Sequence, residues 1–247
     1  MTFVNDVGPR EVLEPALWQG MLNFVPEYAG SALDYFAGEG SAPSVTSTTI
    51  DLLRGALARH GVEALDPAPA ENQNVVVVTT DLSQHEDLHR VSDLLPTDRN
   101  LTLGGPPECP TRDLCMLGLE ARYGLRFKAF FPFSGTAVTA AALKVHQIDV
   151  GVLFSTDGVL AGDDLTELDD DRGLQPAENI VPFVRTDLLT TMGADRARFV
   201  GLANDLSSRL TTDELQHLNA SVGVGRSPAS VARAWLVREF GELMTGS

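Results

Sequence analysis

The sequence has no run approaching the ~20 apolar residues that a membrane-crossing helix needs, so it offers no candidate for an α-helical span. Its opening, MTFVNDVGPREVLEPALWQG, has neither a basic n-region nor an apolar h-region and reads as carrying no export signal. Cysteine is scarce: Cys109 and Cys115 stand alone in ECPTRDLC. Their spacing is not C-x-x-C, and too few other ligands lie nearby for a zinc site. Two readings stay open, a pair of free thiols in a cytosolic protein or a small disulfide loop in an exported one, and composition does not choose between them. The histidines, His60, His85, His89, His146 and His217, lack H-E-x-x-H or other metal spacing, and each reads as a surface or structural residue. There is no G-x-S-x-G elbow and no Walker loop. Gly104-Gly105-Pro106-Pro107 cannot cradle phosphate, because its prolines remove the amide donors. No nucleophile–base pair stands out, so the chain reads as a non-enzyme with no metal or cofactor. Basic residues are in deficit, 18 Lys and Arg against 34 Asp and Glu, a formal net charge of −16. Such a chain repels nucleic acid and anionic membrane, and neither is expected as a partner. The acidity is spread along the chain, as expected of a solvated surface.

What is present is enough for a sizeable core: 247 residues with 43% hydrophobic content. Apolar residues at helical spacing predict helices over Arg10–Leu22 (with Pro15 against its first turn), Ser31–Phe36, Thr46–His60, Leu88–Leu95 (stopped by Pro96), Met116–Tyr123 and Thr136–His146. Three more are predicted over Phe199–Leu210, Thr212–Val222 and Pro228–Phe240, the last opened by Ser227 and a first-turn proline. Extended segments are predicted at Asn23–Pro26, Val75–Val78, Leu101–Leu103, Ile148–Phe154 and Ile180–Arg185. Asp169–Asp171 reads as a solvated turn. Strands alternating with helices predict α/β lobes with mixed sheets.

Three places look like binding surfaces. Tyr28 and Ser31 lie where a strand runs into a helix start, and free amides there can hold an anion; Ser31 reads equally as an ordinary capping residue. Phe154-Ser155-Thr156-Asp157 closes a strand at its carboxyl end, where α/β sheets place ligands, or is a polar turn on a core strand. Arg112, inside the cysteine loop, is a candidate carboxylate clamp or a surface arginine.

Several segments, in order, share one pattern: Arg10-Glu11-Val12-Leu13-Glu14-Pro15-Ala16-Leu17 with Val25-Pro26-Glu27-Tyr28-Ala29-Gly30-Ser31; Leu103-Gly104-Gly105-Pro106-Pro107-Glu108 with Thr111-Arg112; Phe154-Ser155-Thr156-Asp157-Gly158; and Asn179-Ile180-Val181-Pro182-Phe183-Val184-Arg185. The chain thereby resembles the glycine betaine/carnitine/choline substrate-binding proteins of ABC importers. The resemblance implies an α/β, two-lobed fold of the periplasmic-binding-protein kind (type II), with the ligand in the interlobe cleft. Residues 1–74 and 185–247 would form lobe 1 and residues 75–184 lobe 2, with crossings near Asn72–Val75 and Arg185. Relatives begin with a strand and a helix ahead of the Arg10 segment, so the first lobe is expected to be incomplete. The resemblance also implies an extracytoplasmic, membrane-associated monomer, of a family often lipid-anchored, that delivers a small zwitterion or cation to a permease. It implies a Cys109–Cys115 disulfide that fixes the loop presenting Arg112. By alignment, Tyr28, Asn74, Phe154 and Glu178 match an aromatic ammonium cage, and Arg112 and Ser31 match the carboxylate clamp; Thr156 and Asp157, at the strand end after Phe154, complete the candidate ligand-binding residues. Only two of the four cage positions are aromatic, and each lost ring would cost roughly 0.5–2 kcal/mol of cation binding. The alternatives are a binder of another polar solute or a non-binding remnant.

Overall fold

The computed structural model describes residues 4, 7–95 and 98–244. In chain order its strands are β1 (Phe24–Tyr28), β2 (Val62–Ala64), β3 (Asn74–Thr79), β4 (Thr102–Gly105), β5 (Ala129–Pro132), β6 (Val150–Phe154), β7 (Leu165–Leu168) and β8 (Ile180–Arg185). Its α-helices are α1 (Arg10–Trp18), α2 (Ala29–Ala37), α3 (Thr46–Leu57), α4 (Thr80–Glu86), α5 (Met116–Gly118), α6 (Thr136–Lys144), α7 (Thr186–Thr191), α8 (Arg196–Arg209), α9 (Thr212–Gly223) and α10 (Pro228–Met244). The chain forms two compact units, Met1–Glu71 with Pro176–Thr211 and Asn72–Gln175 with Thr212–Ser247.

The first unit is built on a three-stranded antiparallel sheet in the order β1-β8-β2. Its core gathers Leu17 of α1, Val25 of β1, Leu33 of α2, Ile50, Leu53 and Leu57 of α3, and Val181 and Phe183 of β8. Phe183 and Val181 alternate with residues of the opposite face, the period-2 pattern of a strand. Val184, on that opposite face, packs with Leu65 and Leu189 in a second cluster that Phe24 and Phe199 cover. The helix predicted over Thr46–His60 is α-helical to Leu57, tightens to a 3₁₀ turn at Ala58–His60, and stops at Gly61, whose φ of 66° is left-handed.

The second unit holds a five-stranded mixed sheet in the order β5-β4-β6-β3-β7. β3 runs antiparallel to β6 and β7, and β4 runs parallel to β5 and β6. The Val75–Val78 run is apolar without interruption because both faces are covered. Val76 and Val78 pack with Leu103, Val150, Leu119 and Tyr123, while Val75 and Val77 pack with Ala140, Leu143 and Ile148. The disulfide between Cys109 and Cys115, with Cα atoms 5.2 Å apart, belongs to the first of these clusters. The open choice between thiols and a disulfide thus resolves to the bond.

The division differs from the one expected at three places, the first being residues 72–74, which group with the second unit. β8 is the central strand of the first unit's sheet, so residues 176–184 belong with that unit. Residues 212–247 belong with the second unit. There Gln216 Nε2 donates to Ser155 O at 2.8 Å and Asn219 Nδ2 donates to Thr156 O at 2.8 Å, fastening α9 to the turn after β6. A Cβ on Gly158 would lie 2.3 Å from the Ala220 amide nitrogen, so only glycine admits the helix that close. The helix predicted over Leu88–Leu95 is only a 3₁₀ turn at Val91–Leu94; the Asp93 carboxylate accepts the His89 and Arg90 amides and closes the turn locally. Pro96, its predicted stop, lies outside the described residues. β2, β5, β7, α4 and α7 were not predicted; each is short and carries too little periodic signal.

Candidate functional site

The predicted site residues gather into one set in each unit. In the first unit, β1 ends at Tyr28, whose backbone passes directly into α2. Register sets what lies beside it: Tyr28 pairs with Ile180, and the Ala29 amide donates to Asn179 O at 2.9 Å. That places Glu178 against the first turn of α2. Its carboxylate accepts the Ser31 hydroxyl at 2.5 Å and the Ser31 amide at 3.0 Å. Glu178 is buried, 8% exposed, whereas the Tyr28 side chain is 37% exposed. Burial pushes the Glu178 carboxyl up, and the Ser31 bonds and Arg10 draw it back. Ser31 is therefore neither an ordinary cap nor a vacant anion site: both its donors are committed to Glu178.

Next to this lies a set of charges that no sequence motif marks. Arg10 of α1 forms a two-pronged ion pair with Glu27, Nε to Oε1 at 3.1 Å and Nη2 to Oε2 at 2.7 Å. The Tyr28 amide donates to the same carboxylate at 2.9 Å, which fixes the end of β1. Glu14, one turn along α1 from Arg10, is fully buried, and among the described residues neither oxygen has a hydrogen-bond partner. Burial first, then the charge of Glu27, pushes its carboxyl up to about 7, against the pull of Arg10. The available signal was positional, since Glu14 shares a helix face with the buried Leu17.

In the second unit, Asn74 and Phe154 stand opposite each other on β3 and β6. Asn74 Nδ2 donates to Leu114 O at 3.1 Å, tying the strand to the disulfide loop. Gln175 Nε2 donates to the same carbonyl at 3.0 Å. Phe154 is 47% exposed at the carboxyl end of β6. Asp157 accepts the Phe154 amide at 2.8 Å and the Thr136 hydroxyl at 3.0 Å, so both its oxygens hold the turn. Thr156 donates its hydroxyl to Asn72 Oδ1 at 2.8 Å. Arg112 is exposed, and among the described residues its guanidinium has no hydrogen-bonding or ionic partner. The expected solvated turn at Asp169–Asp171 is in part a hub: Asp170 accepts the Tyr123 hydroxyl and the Leu174 and Gln175 amides.

Among the described residues, no group of three or more His, Cys, Asp and Glu side chains is placed to hold a metal ion. No helix among them is long and apolar enough to cross a membrane.

The family model for the substrate-binding domain of ABC-type glycine betaine transport systems matches residues 4–238. The chain is 27% identical over 242 residues to the glycine betaine-binding protein YehZ of Escherichia coli, covering 93% of this chain and 78% of that one. It is 25% identical to the carnitine transport binding protein OpuCC of Listeria monocytogenes, covering 94% and 75%. A crystal structure of a glycine betaine/carnitine/choline ABC transporter protein superposes with a TM-score of 0.83 at 25% identity, over 94% of this chain and 84% of that one. The mixed α/β architecture is thus that of periplasmic binding proteins.

Proposed function

Because the chain belongs to the family of substrate-binding domains of ABC-type glycine betaine transport systems, we propose that it captures a small quaternary or related amine for an importer of the osmoprotectant class. The family is one of solute receptors rather than catalysts, and it acts outside the cytoplasm. The observation that carries the choice of ligand is the pair of half-exposed aromatic side chains, Tyr28 and Phe154, each at the carboxyl end of a strand. Rings so placed offer their faces to a cation, an attraction worth about 0.5–2 kcal/mol per ring. Glu178 adds negative charge beside Tyr28, and Asn74 stands opposite Phe154. Asp157 and Thr156 act by positioning: they fix the turn that aims Phe154. Arg112, held out on the disulfide-closed loop, meets a ligand carboxylate where the ligand has one.

The partners of this reading are the small amine and a membrane permease, with the protein acting as an exported, membrane-associated monomer. Calorimetric titration of the 247-residue chain with glycine betaine, choline, carnitine, proline and a neutral sugar tests it. Heat with one or more of the quaternary amines and none with the sugar is expected. Binding of the sugar alone, or of no amine, overturns the proposal.

A further inference from the structure

A helix start presents unpaired amides and the positive end of the helix dipole, and it is a natural seat for an anion. In α2 that seat is taken by the chain itself. Glu178 places one oxygen 2.5 Å from the Ser31 hydroxyl and the other 3.0 Å from the Ser31 amide. The fit is tight: a Cβ on Gly30 would lie 2.9 Å from the Ala177 carbonyl oxygen and 3.2 Å from Cδ of Glu178. A tethered carboxylate held this way has a large entropic advantage over the same group arriving from solution.

The surrounding charge does not cancel it. Arg10 is the cation acting on Glu178, but its guanidinium is bonded to Glu27 through both Nε and Nη2. Asp34, on α2 itself, adds negative charge. Glu27 and Glu178 against one arginine leave the neighbourhood of Tyr28 net negative, before Glu14 is considered. A cation is drawn to such a place, and a ligand carboxylate finds Ser31 spent and a like charge facing it.

We infer that Glu178 is a specificity-determining residue: by standing where a ligand carboxylate would bind at α2, it biases the protein toward quaternary amines without a carboxylate, of the choline type, over betaine-type zwitterions. This rests on the reading of the chain as an amine receptor with Tyr28 at its ligand-facing side. It makes Ser31 a support for Glu178 rather than a ligand contact.

The test is calorimetry on the full chain with choline and glycine betaine as probes. Wild type is expected to bind choline at least about tenfold more tightly than glycine betaine. Glu178→Ala frees Ser31 and removes the charge, and it should narrow or reverse that ratio by at least about tenfold, chiefly through tighter glycine betaine binding. Adding Ser31→Ala should abolish the gain. Circular dichroism and thermal melting establish whether the variants fold. Should Glu178→Ala fail to fold, the wild-type ratio still decides, together with Glu178→Gln, which keeps an acceptor for Ser31 and loses the charge; choline should weaken in it while glycine betaine does not. Tighter binding of glycine betaine by the wild type, lost in Arg112→Ala, overturns the inference and gives specificity to Arg112. A ratio unchanged by Glu178→Ala also overturns it. Binding of neither amine removes the underlying reading of the chain as an amine receptor, and the inference with it.

Discussion

Replacing Glu14 by glutamine should stabilise the protein at alkaline pH and do little at acid pH. The side chain is fully buried on α1, and both oxygens lack a partner among the described residues. Its carboxyl holds its proton to about 7 in the fold, against an ordinary value of 4.5. Below pH 4.5 the group is protonated in both the folded and the unfolded chain and makes no difference. Between those values the folded state binds more protons than the unfolded one, so stability falls as pH rises. Above about 7 the loss is complete, on the order of 3 kcal/mol. Glutamine keeps the shape and cannot ionise, so it escapes the loss. For a chain of this size the difference corresponds to a melting temperature higher by roughly 6–12 °C at pH 8.5, shrinking toward zero at pH 4.5. Titrating groups that do not interact with Glu14 are common to both proteins and cancel in the comparison. The assay is differential scanning calorimetry of wild type and Glu14→Gln at several pH values. A gap between the two that does not change with pH would show that the Glu14 carboxyl titrates alike in the folded and the unfolded chain, and would refute the reasoning.

Other substitutions separate binding from stability. Phe154→Ala should weaken amine binding by roughly 2- to 30-fold, as loss of one cation–π face implies. It should leave the melting temperature nearly unchanged, since the ring is half exposed; a large drop in melting temperature would make it a core residue instead. Reducing the Cys109–Cys115 bond should cost about 2 kcal/mol by chain entropy, because the closed loop is short. A urea titration with and without reductant measures this, and coincident curves would count against it. Tyr123→Phe should cost roughly 1.5–3 kcal/mol by removing the hydroxyl that Asp170 accepts, with the loss read as a lower denaturation midpoint. An unchanged midpoint would mean that Leu174 and Gln175 alone hold Asp170.

Much of the fold was legible because it is written in local patterns. The valine run of β3, the apolar stripe of α3 and the proline that opens α10 each specify their element within a dozen residues. Tyr28 and Phe154 could be placed at strand ends for the same reason. The charge pairings could not, because they depend on which strand neighbours which. A glutamate at 178 is visible in the sequence, but its partner Ser31 stands 147 residues away. What joins them is the insertion of β8 between β1 and β2, with Tyr28 opposite Ile180 and the Ala29 amide on Asn179. Shifting that register by one residue would turn Phe183 out of the core, so packing fixes the register and the register then fixes Glu178. The contact that we infer to govern ligand choice is therefore set by a buried phenylalanine five residues away. The same insertion moved the expected boundary: β8 reads locally as any core strand, and only its partners reveal the unit to which it belongs.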